Sequence, residues 1–451
     1  MKKFYKNIYQ SNKSKARLGE IRTDHGIIKT PAFVPVATKG TVKALTPQLV
    51  KEIGVQTVFV NTYHLVTHPG AEIIEKTGGI HKYCQLNIPL MSDSGGFQVF
   101  SLARSMTRQH NFLSRENKVK KIAFASSANK SQRKADIRGE EQPLLVKISE
   151  DGVKFRSTFD GQLIEFTPEK SMKFQRQIRA DINMAFDECT YYPATHEYAE
   201  KAMERTHEWL LRCIKYKDSE SKFLSHTSQK RKNFSSSSFG NQYIYGVIQG
   251  ATFEDLRKKS AEFVVSQNTP GVAIGGVSVG ESKKEMREQV KWVADYLPKD
   301  RPVHLFGVGQ IDDIIDLVKY GIDTFDCVEP TRLARMGRIY QLSRILSENS
   351  FPSVLATSGR LEKSLRAVGN PSFSATREFD FDISKTIYKN NLEKLDVDCD
   401  CYVCQNFTKS YLHHLFKQRE ILGYTLATFH NLWVMEKLFD KIRELISEDK
   451  I

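Results

Sequence analysis

The chain has 451 residues, of which 40% are apolar, and its 67 Lys and Arg against 53 Asp and Glu give a formal charge of +14. This composition allows a large core, and no apolar run approaches the roughly 20 residues of a membrane-spanning helix, which excludes an integral membrane protein. The positive charge favours a polyanionic partner, although part of the excess falls in segments with the composition of disordered inserts.

The amino-terminal segment MKKFYKNIYQSNKSK has a basic beginning but no apolar stretch behind it, so the sequence predicts no export signal. We therefore expect a cytoplasmic protein in which the seven cysteines are reduced. The clustering of three of them then indicates metal binding or packing rather than disulfides.

The first recognisable unit is the segment ARLGEIRTDHGIIKTPAFVP, which predicts an antiparallel hairpin turning at residues 24–26. After this hairpin, predicted strands alternate with predicted helices. Eight apolar runs have the length and flanking residues of strands: 33–36, 57–61, 88–92, 181–186, 243–248, 272–275, 303–306 and 322–325.

Helical signals lie between many of these runs. Thr46 and Thr167 each precede a proline and predict helix N-termini, and residues 281–297 and 311–320 carry apolar residues at helical spacing. Eight strands alternating with helices predict a parallel (β/α)8 TIM barrel. A doubly wound open sheet is the alternative.

Polar or glycine residues follow most of the predicted strands. Barrel active sites are built at the carboxyl ends of the strands, so we expect these residues to converge on one mouth. Carboxylates, an amide and exposed backbone donors would suit a polar, flat ligand such as a nucleobase. The residues are Asp93, Asp187, Gln249, Gly275, Gly276, Gly307 and Asp326.

The segment GIDTFDCVEPTRLAR organises the rest of the chain. Its apolar run predicts a buried strand that holds Asp326 in a partly dry place, as a nucleophile or an acid/base would be held. Arg332 and Arg335 follow, and planar guanidinium groups match phosphate oxygens. The alternative interpretation of Asp326 is a buried carboxylate that caps a loop.

The segment SDSGGFQ places Asp93 at the end of a strand, two glycines that permit close backbone approach, and Phe97 as a stacking face. A plain turn is the alternative. The sequence around it lacks the GxGxxG pattern and a following Lys-Ser/Thr, so nucleoside triphosphate binding is not expected.

The strongest local signal is Cys399, Cys401 and Cys404 in DCDCYVCQN. Three thiolates within one loop predict a closed, structural zinc site, with His430 favoured as the fourth ligand over His413 or His414. Three packed thiols are the alternative, and a catalytic zinc is disfavoured because no neighbouring acid is arranged as its base. The remaining cysteines are isolated and indicate core packing: Cys84, Cys189, Cys213 and Cys327.

Many of these segments together resemble the queuine tRNA-ribosyltransferase (tRNA-guanine transglycosylase) family, of bacterial type. They occur in family order and span nearly the whole chain apart from three inserts. The segments are TPAFVPVATKGTVKALTP, NTYHL, SDSGGFQVFSL, GVKFRSTFDG, MAFDECTYYPAT, GVIQG, AIGGVSVGES, GVG, GIDTFDCVEPTR, CDCYVCQNFTKSYLHHLF and HNLW.

The resemblance implies a catalytic (β/α)8 barrel over residues 1–341, a zinc-binding subdomain over 379–430 inserted before the last helix, and a closing helix over 431–451. It also implies exchange of the wobble guanine of tRNAs with GUN anticodons (Asp, Asn, His, Tyr) in queuosine biosynthesis. Asp326 would attack the anomeric carbon to form a covalent ribosyl-enzyme, and Asp93 would serve as general acid/base.

Binding roles follow from the same resemblance. Asp187, Gln249 and the backbone of Gly276 would read the purine edge, with Phe97, Val277 and Phe306 lining the base pocket. Gly307, Arg332 and Arg335 would contact RNA, and one structural zinc ion per subunit would bind Cys399, Cys401, Cys404 and His430. A homodimer is implied as well.

The incoming base is expected to be preQ1 (7-aminomethyl-7-deazaguanine) rather than queuine, because Val279 and Cys189 match the bacterial pattern. Two residues depart from that pattern. Val277 replaces a usual leucine, and Phe306 stands where a methionine usually packs against the base; its ring can still stack.

The inserts at 104–142, 217–241 and 342–378 have the composition of loops or disordered segments. The first two are basic or serine-rich and would extend a cationic surface for tRNA, although solvated expansion is the favoured interpretation. Two other functions remain open. A non-catalytic partner subunit is disfavoured by retention of Asp93 and Asp326, and a barrel glycosidase by the zinc cluster and the basic charge.

Overall fold

The computed structural model describes residues 3–96, 144–157, 160–230, 242–346 and 379–451. The predicted insert at 104–142 and the base-stacking Phe97 lie outside the described residues. The other two inserts are described only in part. Residues 217–230 continue the long helix His196–Lys230 instead of forming a loop, since they contain no glycine or proline to end it.

Eight parallel strands close into a barrel in chain order, which confirms the predicted fold and excludes the open sheet. The last strand pairs with the first, with Asp326 opposite Val34, and this pairing closes the ring. The strands are Ala32–Ala37, Val58–Val60, Leu90–Ser92, Ile182–Met184, Tyr243–Ile248, Gly271–Ile274, Val303–Leu305 and Thr324–Cys327.

Side chains alternate between the inside of the barrel and its outer surface. Phe59, Met91 and Val247 belong to the core inside the barrel, whereas Val58, Leu90 and Ile248 pack with the surrounding helices. Because successive strand residues point to opposite faces, a residue two positions beyond an inward side chain also points inward. This periodicity directs the residues at the strand ends toward the barrel axis.

The amino-terminal hairpin covers the bottom of the barrel, at the amino ends of the strands. It comprises Arg17–Thr23 and Gly26–Thr30, as predicted, with Tyr5–Gln10 as a third antiparallel strand. Ile21 and Ile28 join the core inside the barrel. The fully buried Asp323 ties the hairpin to the last strand, because it accepts bonds from Tyr5 and Arg17.

Two outer helices begin where the sequence predicts caps, and a third has a cap that was not predicted. Thr46 and Thr167 accept backbone bonds at the starts of Pro47–Ile53 and Pro168–Ile178, and Ser282 forms a capping box that starts Lys283–Val293. Besides His196–Lys230, the other helices that the structure describes before residue 347 are Thr62–Thr67, Ala71–Lys76, Ile80–Cys84, Glu254–Ser266, Ile311–Leu317, Glu329–Arg335 and Leu342–Leu346. A 3-10 turn, Val318–Tyr320, extends one of them.

The carboxyl-terminal region packs against the seam of the barrel, where the last strand pairs with the first. Its elements are the antiparallel pair Arg338–Tyr340 and Asp380–Asp382, the 3-10 turn Thr386–Tyr388, and the helices Tyr402–Asn406, Lys409–Gln418 and Ile421–Ser447. Phe439 on the last helix contacts Phe33 and Phe325, which belong to the first and last barrel strands. The last helix is continuous through His430. The predicted boundary between the zinc-binding subdomain (379–430) and the closing helix (431–451) therefore falls inside this helix.

A second antiparallel sheet, Leu144–Ser149, Gly152–Arg156 and Leu163–Phe166, packs beside the mouth. Phe166 lies so close to Gly95 that a Cβ there would come within 2.7 Å of its ring, and Gly95 has a φ of +81°. Both facts require glycine at this position. Among the helices of the described ranges, none has the length and apolar character needed to cross a membrane.

Candidate active site and metal centre

Most of the predicted site residues lie at the mouth of the barrel, where the strands end. Asp93 lies two residues beyond the inward Met91, and Gln249 two residues beyond the inward Val247. Asp326 follows Thr324, which contacts the imidazole of the inward-facing His304. The alternation of the strands therefore aims these side chains at one axis, as the barrel hypothesis requires.

Asp93 is 8% exposed and is held by the neighbouring strand end. Its Oδ1 accepts a bond from the backbone N–H of Thr62 at 2.6 Å, and its Oδ2 accepts a bond from the side-chain amide of Asn61. The hydroxyl of Thr62 donates to the backbone carbonyl of Asp93 at 2.6 Å. These bonds fix the orientation of the carboxylate before any ligand arrives.

Asp187 and Gln249 form a second polar group at the mouth. Gln249 Nε2 donates to Asp187 Oδ2 at 2.7 Å, and Ser94 Oγ donates to Oδ1 at 2.9 Å. Burial raises the pKa of Asp187 to about 6, even though both bonds favour its charged form. Above that pH the carboxylate is a buried acceptor beside Ser94, the residue that follows Asp93.

Gly276 lies directly against this amide. A Cβ at Gly276 would come within 2.2 Å of Gln249 Oε1, and its φ is +61°. Only glycine therefore brings the main chain this close to the glutamine. Within the described residues Gln249 Oε1 has no hydrogen-bond partner, which leaves one buried acceptor for a ligand.

A buried cation supports the same loop. Arg257 is fully buried, and its guanidinium donates to the carbonyl oxygens of Gly275 and Gly276 at 2.5 and 2.6 Å. It also donates to Ala251 O at 2.7 Å, and burial lowers its pKa to about 10. Because both carbonyl oxygens accept hydrogen bonds from Arg257, the peptide planes at Gly275 and Gly276 are held in place.

Asp326 is 9% exposed and lies within the last strand, Thr324–Cys327. The sequence predicts that this strand ends at residue 325, one residue before Asp326. Its Oδ1 accepts a bond from Gly307 N at 3.0 Å and lies 3.2 Å from His304 Nε2. A carboxylate so oriented at a strand end has the surroundings expected of a nucleophile. Its position inside a paired strand does not fit the alternative of a loop cap.

Phe306 precedes Gly307, whose N–H bonds Asp326, and Val277 follows Gly276. The ring of Phe306 contacts those of His304 and Phe59 edge-on, at centroid distances of 4.8 and 5.8 Å. Val277 is 4% exposed. An aromatic face beside Asp326 is suited to stacking with a base.

The two predicted phosphate-binding arginines lie on the helix Glu329–Arg335, directly after Asp326. Arg332 is exposed, whereas Arg335 is half-buried and donates to Thr331 O at 2.7 Å. Gly307 is exposed at the mouth, and its N–H is the one that bonds Asp326. Two arginines therefore follow the nucleophile candidate closely in the sequence.

The three clustered cysteines and His430 come together, fully or almost fully buried. The Sγ atoms of Cys399, Cys401 and Cys404 lie 3.7, 3.5 and 3.3 Å from His430 Nδ1. In a tetrahedral site with ordinary zinc bond lengths, each sulfur lies about 3.6 Å from the nitrogen. The four residues therefore fit a zinc ion.

The imidazole of His430 is oriented from its other nitrogen. Nε2 lies 2.9 Å from the carbonyl oxygen of Tyr340, which fixes an N–H there and leaves Nδ1 directed at the sulfurs. His413 Nδ1 instead contacts Ile383 O at 2.8 Å. The preference for His430 over His413 in the sequence agrees with this geometry.

A second group of metal-binding residue types lies at the opposite end of the barrel. His25 Nδ1 and His81 Nε2 lie 2.7 and 3.1 Å from the two oxygens of Asp181. The two rings are stacked with centroids 3.5 Å apart and planes 10° from parallel. Parallel lone pairs do not converge on one ion, so this group joins the hairpin to the barrel through hydrogen bonds.

Sequence reasoning missed three residues of the site. Asn61 and His304 bond the two candidate catalytic carboxylates, and Arg257 supports the Gly275–Gly276 peptides. One signal was available for His304: a histidine within the apolar run VHLF, at an inward position, is unexpected in a barrel core. No local pattern marks Arg257, whose partners are backbone atoms distant in sequence.

Comparisons with known proteins agree with this arrangement. A family model described as "Queuine tRNA-ribosyltransferase" matches residues 11–133 and 135–451. A protein of that name from Caldanaerobacter subterraneus subsp. tengcongensis is 38% identical over 447 residues, covering 99% of this chain and 94% of the relative. One from Staphylococcus epidermidis is 36% identical over 99% of this chain and 93% of its own. The matched ranges include both carboxylates and the cysteine cluster.

Proposed function

Because the chain belongs to the queuine tRNA-ribosyltransferase family, we propose that it replaces the wobble guanine of GUN-anticodon tRNAs with preQ1 through a covalent ribosyl-enzyme. Family membership makes the chain a tRNA-guanine transglycosylase, a pentosyltransferase of queuosine synthesis. The observation that carries the finer proposal is the pair of buried, oriented carboxylates, Asp93 and Asp326, at the ends of two strands of one barrel.

In the first displacement Asp326 attacks the anomeric carbon of the wobble nucleotide. The bond from that carbon to guanine N9 breaks, its electron pair leaves with the base, and Asp93 supplies the proton that neutralises guanine. In the second displacement Asp93 removes the proton from the incoming base, which attacks the same carbon and releases Asp326. Two displacements retain the configuration of the sugar.

The base-reading role of Asp187 and Gln249 is supported by their complementary atoms. Guanine and preQ1 present N–H donors on one edge and a carbonyl acceptor beside them. Asp187 as a carboxylate accepts from the donors, and an N–H at the Gly276 loop or from Gln249 donates to the carbonyl. Phe306 offers its ring to the base, and Val277 closes the pocket.

The choice of preQ1 over queuine rests on the residues around this loop. Val279 lies three residues after Gly276, and its backbone N–H donates to Glu281 at 2.9 Å. Its β-branched side chain would narrow the pocket beside the base-reading loop. Cys189 is 7% exposed, and burial raises the pKa of its thiol, which keeps it neutral and apolar in character. Such a pocket accepts an aminomethyl substituent more readily than the cyclopentene ring of queuine.

The tRNA would be held by the arginines beside Asp326. Arg332 and Arg335 lie on the helix that begins three residues after Asp326. Their guanidinium groups would bind phosphates next to the reacting ribose. The net charge of +14 adds a salt-dependent attraction that does not distinguish one tRNA from another.

Zinc is proposed as the ion of the Cys399–Cys401–Cys404–His430 group, with a structural role. Its four ligands leave no position for substrate. When bound, the ion would join the loop before Tyr402–Asn406 to the last helix, which itself packs on the barrel seam.

A homodimer is proposed as the functional unit. Several large apolar side chains of the carboxyl-terminal region are exposed, which is the surface expected of an interface. They are Ile387 at 73%, Leu392 at 78%, Val397 at 64%, Tyr402 at 46% and Ile421 at 76%. Sedimentation at micromolar protein concentration tests this part of the proposal.

The decisive experiment is incorporation of radiolabelled guanine into tRNA. We expect labelling of a tRNA with a GUN anticodon and no labelling of the same tRNA with adenine at the wobble position. PreQ1 should chase the label out, whereas queuine should not. Absence of labelling would overturn the exchange reaction in favour of a non-catalytic tRNA-binding subunit, and an equal chase by queuine would overturn the preference for preQ1.

A further inference from the structure

We propose that His304 is the positioning residue of the nucleophile, donating from Nε2 to Oδ1 of Asp326 so that Oδ2 is the oxygen that attacks. The inference rests on the proposed double displacement and assigns a role to a side chain outside the two-carboxylate mechanism. His304 is fully buried in the barrel and contacts Asp326 from the adjacent strand.

The two donors on Asp326 both select the same oxygen. His304 Nε2 lies 3.2 Å from Oδ1, and Gly307 N lies 3.0 Å from it. Within the described residues no hydrogen bond reaches Oδ2. When one carboxylate oxygen accepts two hydrogen bonds, the group is fixed in rotation about its Cβ–Cγ bond. The other oxygen keeps its lone pairs for the anomeric carbon.

The contact at the other ring nitrogen is compatible with the tautomer that this role requires. His304 Nδ1 lies 2.9 Å from the hydroxyl oxygen of Thr324, which is two residues before Asp326 on the same strand. In neutral imidazole one nitrogen donates and the other accepts. A proton on Nε2 satisfies the carboxylate, and the threonine hydroxyl then donates to Nδ1, so every polar atom of the ring has a partner.

The plane of the imidazole is fixed by two aromatic rings. Phe59 stacks on it with centroids 5.5 Å apart and an interplanar angle of 18°. Phe306 meets it edge-on at 4.8 Å and 88°. His304 therefore contacts both the proposed base-stacking ring and the nucleophile, so a base seated on Phe306 and a correctly rotated Asp326 depend on one side chain.

The same contact assists both displacements. In the first, the N–H holds Asp326 in its attacking orientation while the bond from Oδ2 to the anomeric carbon forms. In the second, that bond breaks and its electron pair returns to the carboxylate, whose charge the N–H of His304 and that of Gly307 stabilise. His304 itself makes and breaks no covalent bond.

The test compares two substitutions of His304. His304→Phe keeps the ring between Phe59 and Phe306 but removes the donor, and His304→Gln restores a donor of similar reach. We expect kcat for guanine exchange to fall roughly 10- to 100-fold in the phenylalanine variant, as misplacement of a reacting group does. KM for tRNA and for guanine should stay within about threefold, and the glutamine variant should recover at least part of the loss.

Two further measurements separate this role from a structural one and from failure of the proposed function. Thermal melting should show that both variants fold, and single-turnover formation of the covalent RNA adduct should be slowed in His304→Phe. Wild-type rates of adduct formation and exchange in a folded His304→Phe protein would overturn the role of His304. Failure of the wild-type protein to exchange guanine would instead overturn the proposed function.

Discussion

Asp323 and Asp326 lie three residues apart on one stretch of chain but serve opposite ends of the barrel. Asp323 is fully buried at the bottom, where it accepts bonds from Tyr5 and Arg17. Asp326 is 9% exposed at the mouth, where it accepts bonds from Gly307 and His304. The strand between them therefore separates a carboxylate that stabilises the fold from one that is available for chemistry.

This separation predicts different consequences for the two carboxylates. Asp326→Asn should abolish guanine exchange, by at least roughly 10³-fold in kcat, because an amide cannot act as the nucleophile. Its free energy of unfolding should change by less than about 1 kcal/mol, since an amide oxygen still accepts the bonds of Gly307 and His304. Exchange assays and urea unfolding measure the two effects. Asp93→Asn is the matched substitution at the other carboxylate. It should slow exchange because it removes the general acid/base, while the nucleophile Asp326 remains intact.

The opposite pattern is expected for the buried pair at the bottom. Arg17→Met leaves the carboxylate of Asp323 buried without its cation and should cost about 3–5 kcal/mol of unfolding free energy. Arg22→Met is the control, because the Arg22–Glu20 pair on the same strand is partly exposed and such pairs contribute about 1 kcal/mol or less. Equal losses in the two variants, measured by urea unfolding, would contradict the assignment.

The contrast also shows which features of the molecule are local in sequence. Strand and helix patterns repeat along the chain and are legible from hydrophobic spacing, so the barrel, the hairpin and the caps at Thr46 and Thr167 could be predicted. The polar residues after the strands could be predicted because a parallel barrel brings all its strand ends together. Strand bounds shifted by one or two residues, as for Thr324–Cys327.

Contacts between distant segments could not be predicted in this way. Arg17 meets Asp323 across more than three hundred residues, and Asn61 meets Asp93 across two strand ends. No spacing rule connects such pairs, because they depend on the register and closure of the barrel. The roles given to Asp187, Gln249 and the arginines stay predictions until substitutions test them.

Removal of the metal should affect the carboxyl-terminal region before the barrel. Cys404→Ala deletes one of four converging ligands, so we expect loss of bound zinc, measured by metal analysis, and a lower melting temperature. Cys84→Ala is the control, since this half-buried cysteine lies outside the cluster and should leave the zinc content unchanged. A Cys404→Ala protein that binds one zinc ion per chain as tightly as the wild type would exclude the proposed ligand set.

The affinity for the free base should depend on pH through Asp187. Burial raises the pKa of this carboxyl to about 6, so the acceptor is present above pH 6 and is lost as the pH falls through that value. For a single group with this pKa, the KM for guanine should rise about tenfold between pH 7 and pH 5. Steady-state assays across this range measure the change.

Asp187→Asn provides the control for that pH profile. The amide cannot ionise, so the variant should bind guanine more weakly at pH 7 and show little further change down to pH 5. Its remaining contacts with Ser94 and Gln249 keep the surrounding network in place. A variant with the same pH dependence as the wild type would assign the titration to another group.

Stability should depend on pH through the hairpin at the opposite end. The hydrogen bond that His25 donates to Asp181 raises the pKa of His25 above its ordinary 6.5. Burial acts to raise the pKa of Asp181, but the bonds from His25 and His81 outweigh it and the pKa is lowered. Because His25 binds its proton more tightly in the folded state, its contribution is complete below pH 6.5 and is lost as the pH rises through the raised value.

We therefore expect the wild-type protein to lose unfolding free energy between pH 6 and pH 8.5, and His25→Phe to lose less over the same interval. Urea unfolding at the two pH values measures both slopes. Asp181→Asn removes the carboxylate that raises the pKa of His25 and should flatten the dependence in the same way. Arg17→Met removes a guanidinium at the same end of the barrel whose pKa lies far above this range, so it should lower stability without changing the slope. A wild-type slope retained in His25→Phe would show that the hairpin contact does not carry the titration.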